Sequence, residues 1–320
     1  ASHMIFHPEG YHGRRAKPPF FEGWYVKLDD PRGERTLAVI PGIYLGEDPA
    51  SRHAFIQATD GRKRWYARYP VEAFEGATDR FDVRVGTSRF HAGGMTLDLD
   101  APEGQLAGEV RFENPVPWPV TWRSPGIMGW YAWVPTMECY HGVVSLDHGL
   151  SGSVHIDGEA VDFSGGRGYT EKDWGRRFPR AWVWMQTNGF EGYAGTSLTA
   201  SIARIPWWRT TFPGFIVGFW HAGTLYRFAT YTGAETTRLH VTDEDVEWSM
   251  KSRDHILEIT ARRAPGAELL GPRPEGMVPV VEETVSASVH VRLTTAAGDV
   301  VFDGTGHRAG LEVVSPESIF

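Results

Sequence analysis

The sequence predicts an all-β protein built from two antiparallel domains in tandem, each a barrel or a sandwich. Short runs rich in β-branched and aromatic residues dominate the chain, and glycine, proline and aspartate separate them. No window of eleven or more residues keeps a clear apolar period of 3.6, so the pattern does not favour helices. A chain of 320 residues has the length of two domains of roughly 150 residues each.

The predicted strands follow one another from the start of the chain. Each combines residues that favour a pleated, half-buried surface and ends at turn residues. They span residues 23–28, 36–45, 53–59, 64–69, 81–85, 95–99, 109–112 and 140–146. Short strands joined by turns in this way are typical of antiparallel sheets.

The two halves of the chain repeat at an offset of 160 residues. The offset aligns Trp24 with Trp184, Phe55 with Phe215, Tyr66 with Tyr226, and Leu97 with Leu257. Towards the ends the offset drops to about 140, so the first half carries about twenty extra residues, which we place at 114–135. This repeat predicts an internal duplication, with domains at residues 4–177 and 178–320.

The extra segment 114–135 contains four tryptophans and five prolines. Proline lacks a ladder donor, so the segment is not expected in a central strand. Nine of the 13 tryptophans lie between Trp118 and Trp208. This concentration is typical of either a core packed with large aromatic side chains or an aromatic ligand pocket. We expect a lid or rim in which Trp130 and Trp133 cover a cavity. The alternative is a loop that covers an edge of the barrel.

Charge and composition exclude several classes of protein. The 32 basic and 40 acidic residues leave no basic surface for nucleic acid. No apolar stretch reaches the ~18 residues that a membrane-spanning helix needs. The single cysteine, Cys139, excludes an internal disulfide framework and a cysteine-built metal site. The first residues lack the basic start and apolar core of a signal peptide, which favours the cytoplasm.

The densest polar cluster spans residues 165–175. Glu171 and Asp173 are two residues apart, so they share one face of a strand, and Lys172 points to the other. Two neighbouring carboxylates repel when both are ionised, which raises the pKa of one and leaves a proton to donate. The cluster therefore predicts a general acid. The alternative is a set of solvated charges at a strand end.

His141 is a further acid–base candidate, in the predicted strand 140–146. A lone histidine of this kind is also common as a satisfied core or surface group. His148 and His155 follow at spacings of seven, which do not form the helical pair of a zinc protease. No nucleophile elbow is present, and no helix follows the glycines at 165–168 to hold a dinucleotide. We therefore predict no metal and no cofactor.

Near the start of the chain, Glu22 and Trp24 share a face of the first strand. A carboxylate beside an aromatic ring is an arrangement that can contact a ligand. Alternatively, Glu22 pairs with an arginine and stabilises the mouth of the barrel.

Three ordered motifs in the chain resemble those of tocopherol cyclases. They are Phe-Phe-Glu-Gly-Trp-Tyr-Val-Lys at 20–27, the block at 129–144 with Met-Glu-Cys-Tyr-His-Gly, and Gly-Gly-Arg-Gly-Tyr-Thr-Glu-Lys-Asp-Trp-Gly at 165–175, which is followed by Ala-Trp-Val-Trp-Met-Gln at 181–186. The resemblance covers residues 17–220 well and the last hundred poorly. Wider relatives are the acyclic carotenoid hydratases and the lipocalin-like pericyclases. This likeness implies two lipocalin-like domains, in agreement with the repeat.

The resemblance also implies proton-initiated chemistry on a prenyl double bond, without metal or redox cofactor. His141, Tyr169 and Glu171 occupy places that match the hydratase pattern, and Asp173 adds an acid there. We expect Glu171 to donate the proton and Asp173 to orient it. The expected substrate-binding residues are Glu22, Trp24, Trp130, Trp133, Trp174 and Trp184.

Three functions fit these motifs. The first is an intramolecular cyclase that acts on a hydrophobic prenylated or polyene substrate. The second is a hydratase, in which water traps the same cation, and the third is a lipocalin-like carrier without catalysis. The expected partner is a hydrophobic small molecule, and uptake of a lipid substrate would add peripheral contact with a membrane.

Overall fold

The computed structural model describes residues 5–134 and 137–320. Two antiparallel sheets contain most of the described residues, which confirms the all-β class. The first sheet has twelve strands: β1 (Phe20–Asp29), β2 (Thr36–Leu45), β3 (His53–Thr59), β4 (Arg64–Tyr69), β5 (Phe74–Gly76), β6 (Asp82–Val85), β7 (Ser88–His91), β8 (Gly94–Ala101), β9 (Gly104–Glu113), β10 (Cys139–Ile156), β11 (Glu159–Asp162) and β12 (Arg167–Gly175).

The second sheet has eleven strands: β13 (Trp182–Thr187), β14 (Gly189–Phe190), β15 (Ser197–Trp207), β16 (Thr210–His221), β17 (Thr224–Ala229), β18 (Glu235–Val241), β19 (Asp245–Lys251), β20 (His255–Arg262), β21 (Ala267–Arg273), β22 (Gly276–Thr295) and β23 (Val300–Val314). Short 3-10 turns occur at Gly13–Arg15, Pro49–Ser51, Val71–Ala73, Gly129–Trp133, Thr230–Thr232 and Pro316–Ser318. No helix in the described part of the chain is long and apolar enough to span a membrane.

Alternation of burial along the strands shows why these sequences form sheets. In β8, Met95, Leu97 and Leu99 are buried, and the residues between them are exposed. In β1, by contrast, both faces are buried, with Trp24 in the core cluster of the first sheet and Phe21 in a smaller cluster on the opposite face. β1 is therefore covered on both sides, a position that suits a strand carrying a site.

The order of strands in the two sheets supports the predicted duplication. The first sheet runs β4-β3-β2-β1-β12-β10-β9-β8 before it ends with β7-β6-β5. The second runs β17-β16-β15-β13-β23-β22-β20-β19 and ends with β18. Strand for strand, β1 therefore takes the place of β13 and β12 the place of β23.

The residue equivalences predicted from the repeat are wrong, although most of them fall on corresponding strands. Trp24 packs in the core cluster of the first sheet, whereas on β13 the core side chains are Val183 and Met185, and Trp184 points to the opposite face. Phe215 belongs to the core cluster of the second sheet, whereas Phe55 belongs to the smaller cluster that contains Phe21. A one-residue shift exchanges the two faces of a strand, so the offset of 160 is incorrect by an odd number of residues.

The match of Leu97 with Leu257 is also wrong, for a different reason. Leu97 lies on β8, whereas Leu257 lies on β20, which takes the place of β9. The predicted alignment therefore skips one strand in this part of the chain.

The chain divides into two compact units. The first is Ala1–Phe178 with Glu268–Val280, and the second is Pro179–Ala267 with Val281–Phe320. The first division lies one residue from the predicted boundary at 177/178, but the sequence did not predict that 268–280 belongs to the first unit. There the Gln57 side chain donates to the Leu270 carbonyl at 3.0 Å and accepts from its N–H at 2.9 Å.

Several predicted positions fall outside the described residues. These are Met4, at which the first domain was expected to begin, Pro135 at the end of the extra segment, and the side chain of Trp133. The rest of the extra segment connects β9 to β10 without forming a strand of its own, as its prolines predict.

Candidate active site

The candidate site lies where β12 is paired with β1 on one side and β10 on the other. Asp173 lies opposite His141 of β10, and Glu171 lies opposite Val143. Glu171 and Asp173 share a face with His141, and Lys172 points to the opposite face, as the spacing predicts. Three chemically active side chains thus meet on one face, although His141 is distant from the other two in sequence.

The imidazole ring of His141 lies between the two carboxylates. Its Nδ1 is 2.7 Å from Asp173 Oδ1, and its Nε2 is 2.7 Å from Glu171 Oε2. The Asp173 contact is a hydrogen bond, whereas the Glu171 contact has the distance of an ion pair without hydrogen-bond alignment. The Glu171 side chain is 2% exposed and that of Asp173 is 35% exposed, so one carboxylate is buried and the other reaches solvent.

The carboxylates control the protonation of the ring. Burial alone would lower the pKa of His141, but the charges of Glu171 and Asp173, together with the hydrogen bond to Asp173, raise it well above the ordinary 6.5. His141 is therefore an imidazolium at neutral pH. The sequence predicted that Glu171 and Asp173 would repel each other directly. This prediction is wrong, because the positive ring of His141 lies between the two carboxylates.

His141, Glu171 and Asp173 are also close enough together to be candidate ligands of a metal ion. Their ligand atoms lie within 4.8 Å of one another. However, the two carboxylates contact opposite nitrogens of the ring, whose lone pairs diverge, so one ion cannot bind the ring and both acids in this arrangement. The nitrogen–oxygen distances are instead those of charge-assisted contacts. The geometry favours proton transfer over metal binding.

A second buried charge cluster occupies the other face of the same strands. Glu22 and Lys172 have no exposed side-chain surface and form an ion pair. Burial would raise the pKa of Glu22, but Lys172 and His12 outweigh it and lower the pKa. Burial lowers the pKa of Lys172, and Glu22 opposes that effect. The predicted alternative for Glu22, a structural ion pair, matches this geometry with a lysine in place of an arginine.

Two tryptophans surround the Lys172 ammonium. Its Nζ lies 4.4 Å from the ring centre of Trp24 and 4.7 Å from that of Trp174. The Trp24 indole N–H donates to the Glu9 carbonyl at 3.1 Å. Cation–π contacts of this kind help a buried ammonium to remain charged.

A cavity of about 450 Å³ opens at the ends of these strands, within the first unit. His141, Trp174 and Tyr140 line it from the sheet, and the extra segment contributes Pro125, Met128 and Ala132. The N-terminal segment adds Ile5, Pro8 and His12, and the remaining lining residues are Lys17, Pro19, Phe20, Met137, Gly175 and Arg176. A mostly apolar wall with a few polar groups is typical of a site for a hydrophobic ligand.

The predicted site residues divide into those at the cavity and those elsewhere. His141 and Trp174 line it, and Glu171 and Asp173 contact His141. The others do not line it. Glu22 and Trp24 are fully buried on the Lys172 face, and Tyr169 is buried on the Glu171 face of β12. Trp184 belongs to the second unit, and Trp130 is 46% exposed and stacks on Tyr131. The extra segment therefore contributes to this cavity, but not through Trp130.

Sequence reasoning did not identify His12 as a site residue. Its ring stacks on Trp174 with centroids 4.1 Å apart, and its Nδ1 lies 2.8 Å from Glu22 Oε1. No local pattern connects residues 12, 22 and 172, because only the pairing of β1 with β12 brings the last two together.

The fold and site together define a lipocalin-like, all-β protein with a carboxylate–imidazole cluster beside an apolar cavity. The family model described as "Tocopherol cyclase-like" matches residues 86–315. The chain belongs to this family, whose members are cyclase-like enzymes.

Two plant relatives cover nearly all of the chain. The probable tocopherol cyclase, chloroplastic, of Oryza sativa subsp. japonica is 25% identical over 376 aligned positions, which cover 95% of this chain and 77% of that protein. The tocopherol cyclase, chloroplastic, of Zea mays is 32% identical over 372 positions, which cover 95% of this chain and 76% of that protein.

Among solved structures, CghA with Sch210972 has a TM-score of 0.56 at 15% identity and covers 93% of this chain and 89% of that one. This last likeness supports the fold alone.

Proposed function

We propose that this protein catalyses the proton-initiated, intramolecular cyclisation of a hydrophobic prenylated or polyene substrate, such as a prenylated hydroquinone, without metal or redox cofactor. The observation that carries the proposal is a histidine held between two carboxylates at the wall of an apolar cavity. The membership of a cyclase-like family supports the reaction class.

The proton donor in this proposal is the pair formed by His141 and Glu171. In the dry interior, transfer of the ring proton to Glu171 neutralises both groups and produces a carboxylic acid, which is a stronger acid than the imidazolium. The Nε2–Oε2 contact is short but not aligned, so the proton is not held in an optimal hydrogen bond. Asp173 fixes the ring through Nδ1 and, being partly exposed, connects it to solvent protons.

The reaction balances as an isomerisation. The donor protonates the less substituted alkene carbon, and the cation forms at the more substituted one. The substrate hydroxyl oxygen then forms the new carbon–oxygen bond, and its proton leaves to a base. Tyr25 lies opposite Glu171 in the pairing of β1 with β12 and shares its face, so its ring can stabilise the cation by roughly 0.5–2 kcal/mol. Folding the chain over its nucleophile supplies much of the remaining rate gain.

The test is turnover of a synthetic geranyl-substituted hydroquinone, with product identified by mass spectrometry and NMR. We expect a ring-closed isomer from the native protein, with an undiminished rate in the presence of a chelator. Glu171→Gln and His141→Asn should each reduce the rate by about 10²–10⁴-fold or more, because a general acid contributes that much. Asp173→Asn should reduce it less, because Asp173 orients the ring.

Binding and a matched control separate the alternatives. Glu109→Gln removes an exposed carboxylate from β9 of the same sheet and should leave turnover unchanged. A product heavier by one water would assign the protein as a hydratase. Quenching of tryptophan fluorescence without any product would assign it as a carrier. Near-full turnover in Glu171→Gln and His141→Asn would contradict the mechanism.

A further inference from the structure

Two exposed tryptophans of the chain are each followed directly by an arginine. Among the tryptophans whose side chains the structure describes, three are exposed, and two of these, Trp122 and Trp208, precede Arg123 and Arg209. Trp122 is 69% exposed and belongs to the first unit, and Trp208 is 93% exposed and belongs to the second. The same pair of residues therefore lies at the surface of both units. We call these pairs the Trp–Arg turns.

The Trp–Arg turn of the second unit is the tip of the hairpin formed by β15 and β16. The two strands pair without interruption up to Trp207 and Thr210, so Trp208 and Arg209 alone make the turn. Trp208 has a φ of 55°, a conformation that strains a bulky residue and that glycine or asparagine adopts more easily. A strained tryptophan at an exposed tip stabilises neither the turn nor the core. Strain of this kind indicates a function for the side chain.

The Trp–Arg turn of the first unit is the tip of the extra segment. The Thr121 N–H donates to the Ser124 carbonyl at 3.1 Å, and the Ser124 N–H donates to the Thr121 hydroxyl at 3.0 Å. These hydrogen bonds fix the backbone on both sides of Trp122. The Arg123 guanidinium carbon lies 4.8 Å from the centre of the indole ring. The turn therefore presents an aromatic ring and a positive charge together at the surface.

Both Trp–Arg turns lie in stretches of sequence that contain no acidic residue. Residues 114–137 contain none, and neither do residues 192–234, although the whole chain has 40 acidic residues and a net charge of −8. The sequence around each turn is thus positively charged, whereas the chain as a whole is negative. This charge pattern favours an anionic partner at both turns.

We propose that the two Trp–Arg turns anchor the protein to the interfacial region of a phospholipid bilayer that contains anionic headgroups. Indole rings favour that region because they combine an apolar ring with a polar N–H. A guanidinium beside the ring binds lipid phosphate. A bilayer requires no groove of matching shape, so two turns that share only their chemistry can each bind it. Anchoring goes beyond the reaction proposed above, because it involves no substrate, and it assigns residues to the expected membrane contact.

Binding to unilamellar vesicles, measured by co-sedimentation, tests the anchors. The vesicles contain phosphatidylcholine with or without phosphatidylglycerol, and we expect the native protein to bind more tightly when phosphatidylglycerol is present. Trp122→Ser and Trp208→Asn should each weaken binding by about tenfold or more, because each removes an apolar ring from the interface. Arg123→Gln and Arg209→Gln should each weaken binding to the anionic vesicles by about fivefold.

The choice of asparagine at position 208 separates anchoring from a structural role. Asparagine accepts a φ of 55° more easily than tryptophan, so Trp208→Asn should keep or raise the unfolding temperature while it weakens vesicle binding. The matched control is Phe320→Ser, which removes an aromatic side chain of similar exposure, 68%, outside both turns. This control should bind vesicles as the native protein does.

Several results would overturn the inference. The first is the absence of vesicle binding by the native protein, or unchanged binding in Trp122→Ser and Trp208→Asn. Equal binding with and without phosphatidylglycerol would contradict the anionic headgroup, and a lower unfolding temperature in Trp208→Asn would assign that side chain a structural role. Self-association of the native protein without lipid, lost in both tryptophan variants, would assign the turns to contacts between copies of this chain.

Discussion

At the scale of single residues, the candidate site depends on the placement of one imidazole. Glu171 and Asp173 share a strand face, and alone they would repel. His141 contacts both, so the cluster has one positive and two negative charges instead of two negative charges alone. The ring is thus the group that allows the acids to lie together, and His141 is also one of the residues that line the cavity.

The raised pKa of His141 can be measured directly. The folded state binds this proton more tightly than the unfolded chain, so its stabilising effect is complete below pH 6.5 and is lost as pH rises through the folded pKa. NMR titration of the ring should show it protonated at neutral pH. In Asp173→Asn the pKa of the His141 ring should fall. Each unit of that fall corresponds to the loss of about 1.4 kcal/mol of interaction between the ring and Asp173. A ring that titrates near 6.5 in the native protein would contradict this account.

At the scale of elements, β10 is the strand that brings the site together. It pairs with both β9 and β12, and its register on β12 shifts between Val143 and Ser145 and again between Ser145 and His148. Beyond the second shift, His148 lies opposite Gly168, where an added Cβ would come within 2.3 Å of the His148 ring. Glycine is therefore required at this position to admit the buried ring.

His148 makes the stability of this strand sensitive to acid. Burial, with a smaller contribution from Arg167, lowers its pKa to about 3. The unfolded chain therefore binds a proton that the folded chain does not, and stability falls as pH drops from 6.5 towards 3. At pH 5 this loss should be about 2 kcal/mol. Urea unfolding at pH 7 and at pH 5 measures this loss. Between these two values the free energy of unfolding should fall less in His148→Asn than in the native protein, whatever the stability of the variant at pH 7.

The control for this experiment is His155→Asn, which changes an exposed histidine on the same strand. It should lose stability with acid as steeply as the native protein. If His148→Asn did the same, the acid sensitivity would come from other groups.

At the scale of the whole molecule, chain order and compact units do not coincide. Residues 268–280 belong to the unit formed by the first 178 residues. There Gln57 pairs with both backbone groups of Leu270, and Tyr44 and Arg64 donate to the carbonyls of Arg273 and Glu268. The first unit is therefore incomplete without a segment that follows it by about ninety residues in the chain.

Gln57→Ala should test this attachment. It leaves the N–H and carbonyl of Leu270 without the side chain that satisfies them, which should lower the free energy of unfolding by about 1–3 kcal/mol. Hydrogen exchange should also accelerate at the Leu270 amide. Gln105→Ala, on an exposed position of β9, is the matched control and should change neither quantity. Unchanged exchange at Leu270 in Gln57→Ala would show that other contacts hold the segment.

The sequence by itself determined the fold class, the positions of most early strands, and the face shared by Glu171 and Asp173. Strands β2, β3 and β4 begin and end at the predicted residues. These features are local, because a period of two and the turn residues that interrupt it are properties of neighbouring residues. The charge pattern and the specific motifs likewise need no folded chain.

Only the tertiary structure decided which distant residues meet. The placement of His141 between two acids, the pairing of Glu22 with Lys172, and the attachment of 268–280 all depend on contacts between segments far apart in sequence. The physical reason is that a shift of one residue exchanges the faces of a strand without changing its local pattern. The same reason explains why the repeat predicted corresponding strands but placed Trp24 and Trp184 on the wrong faces.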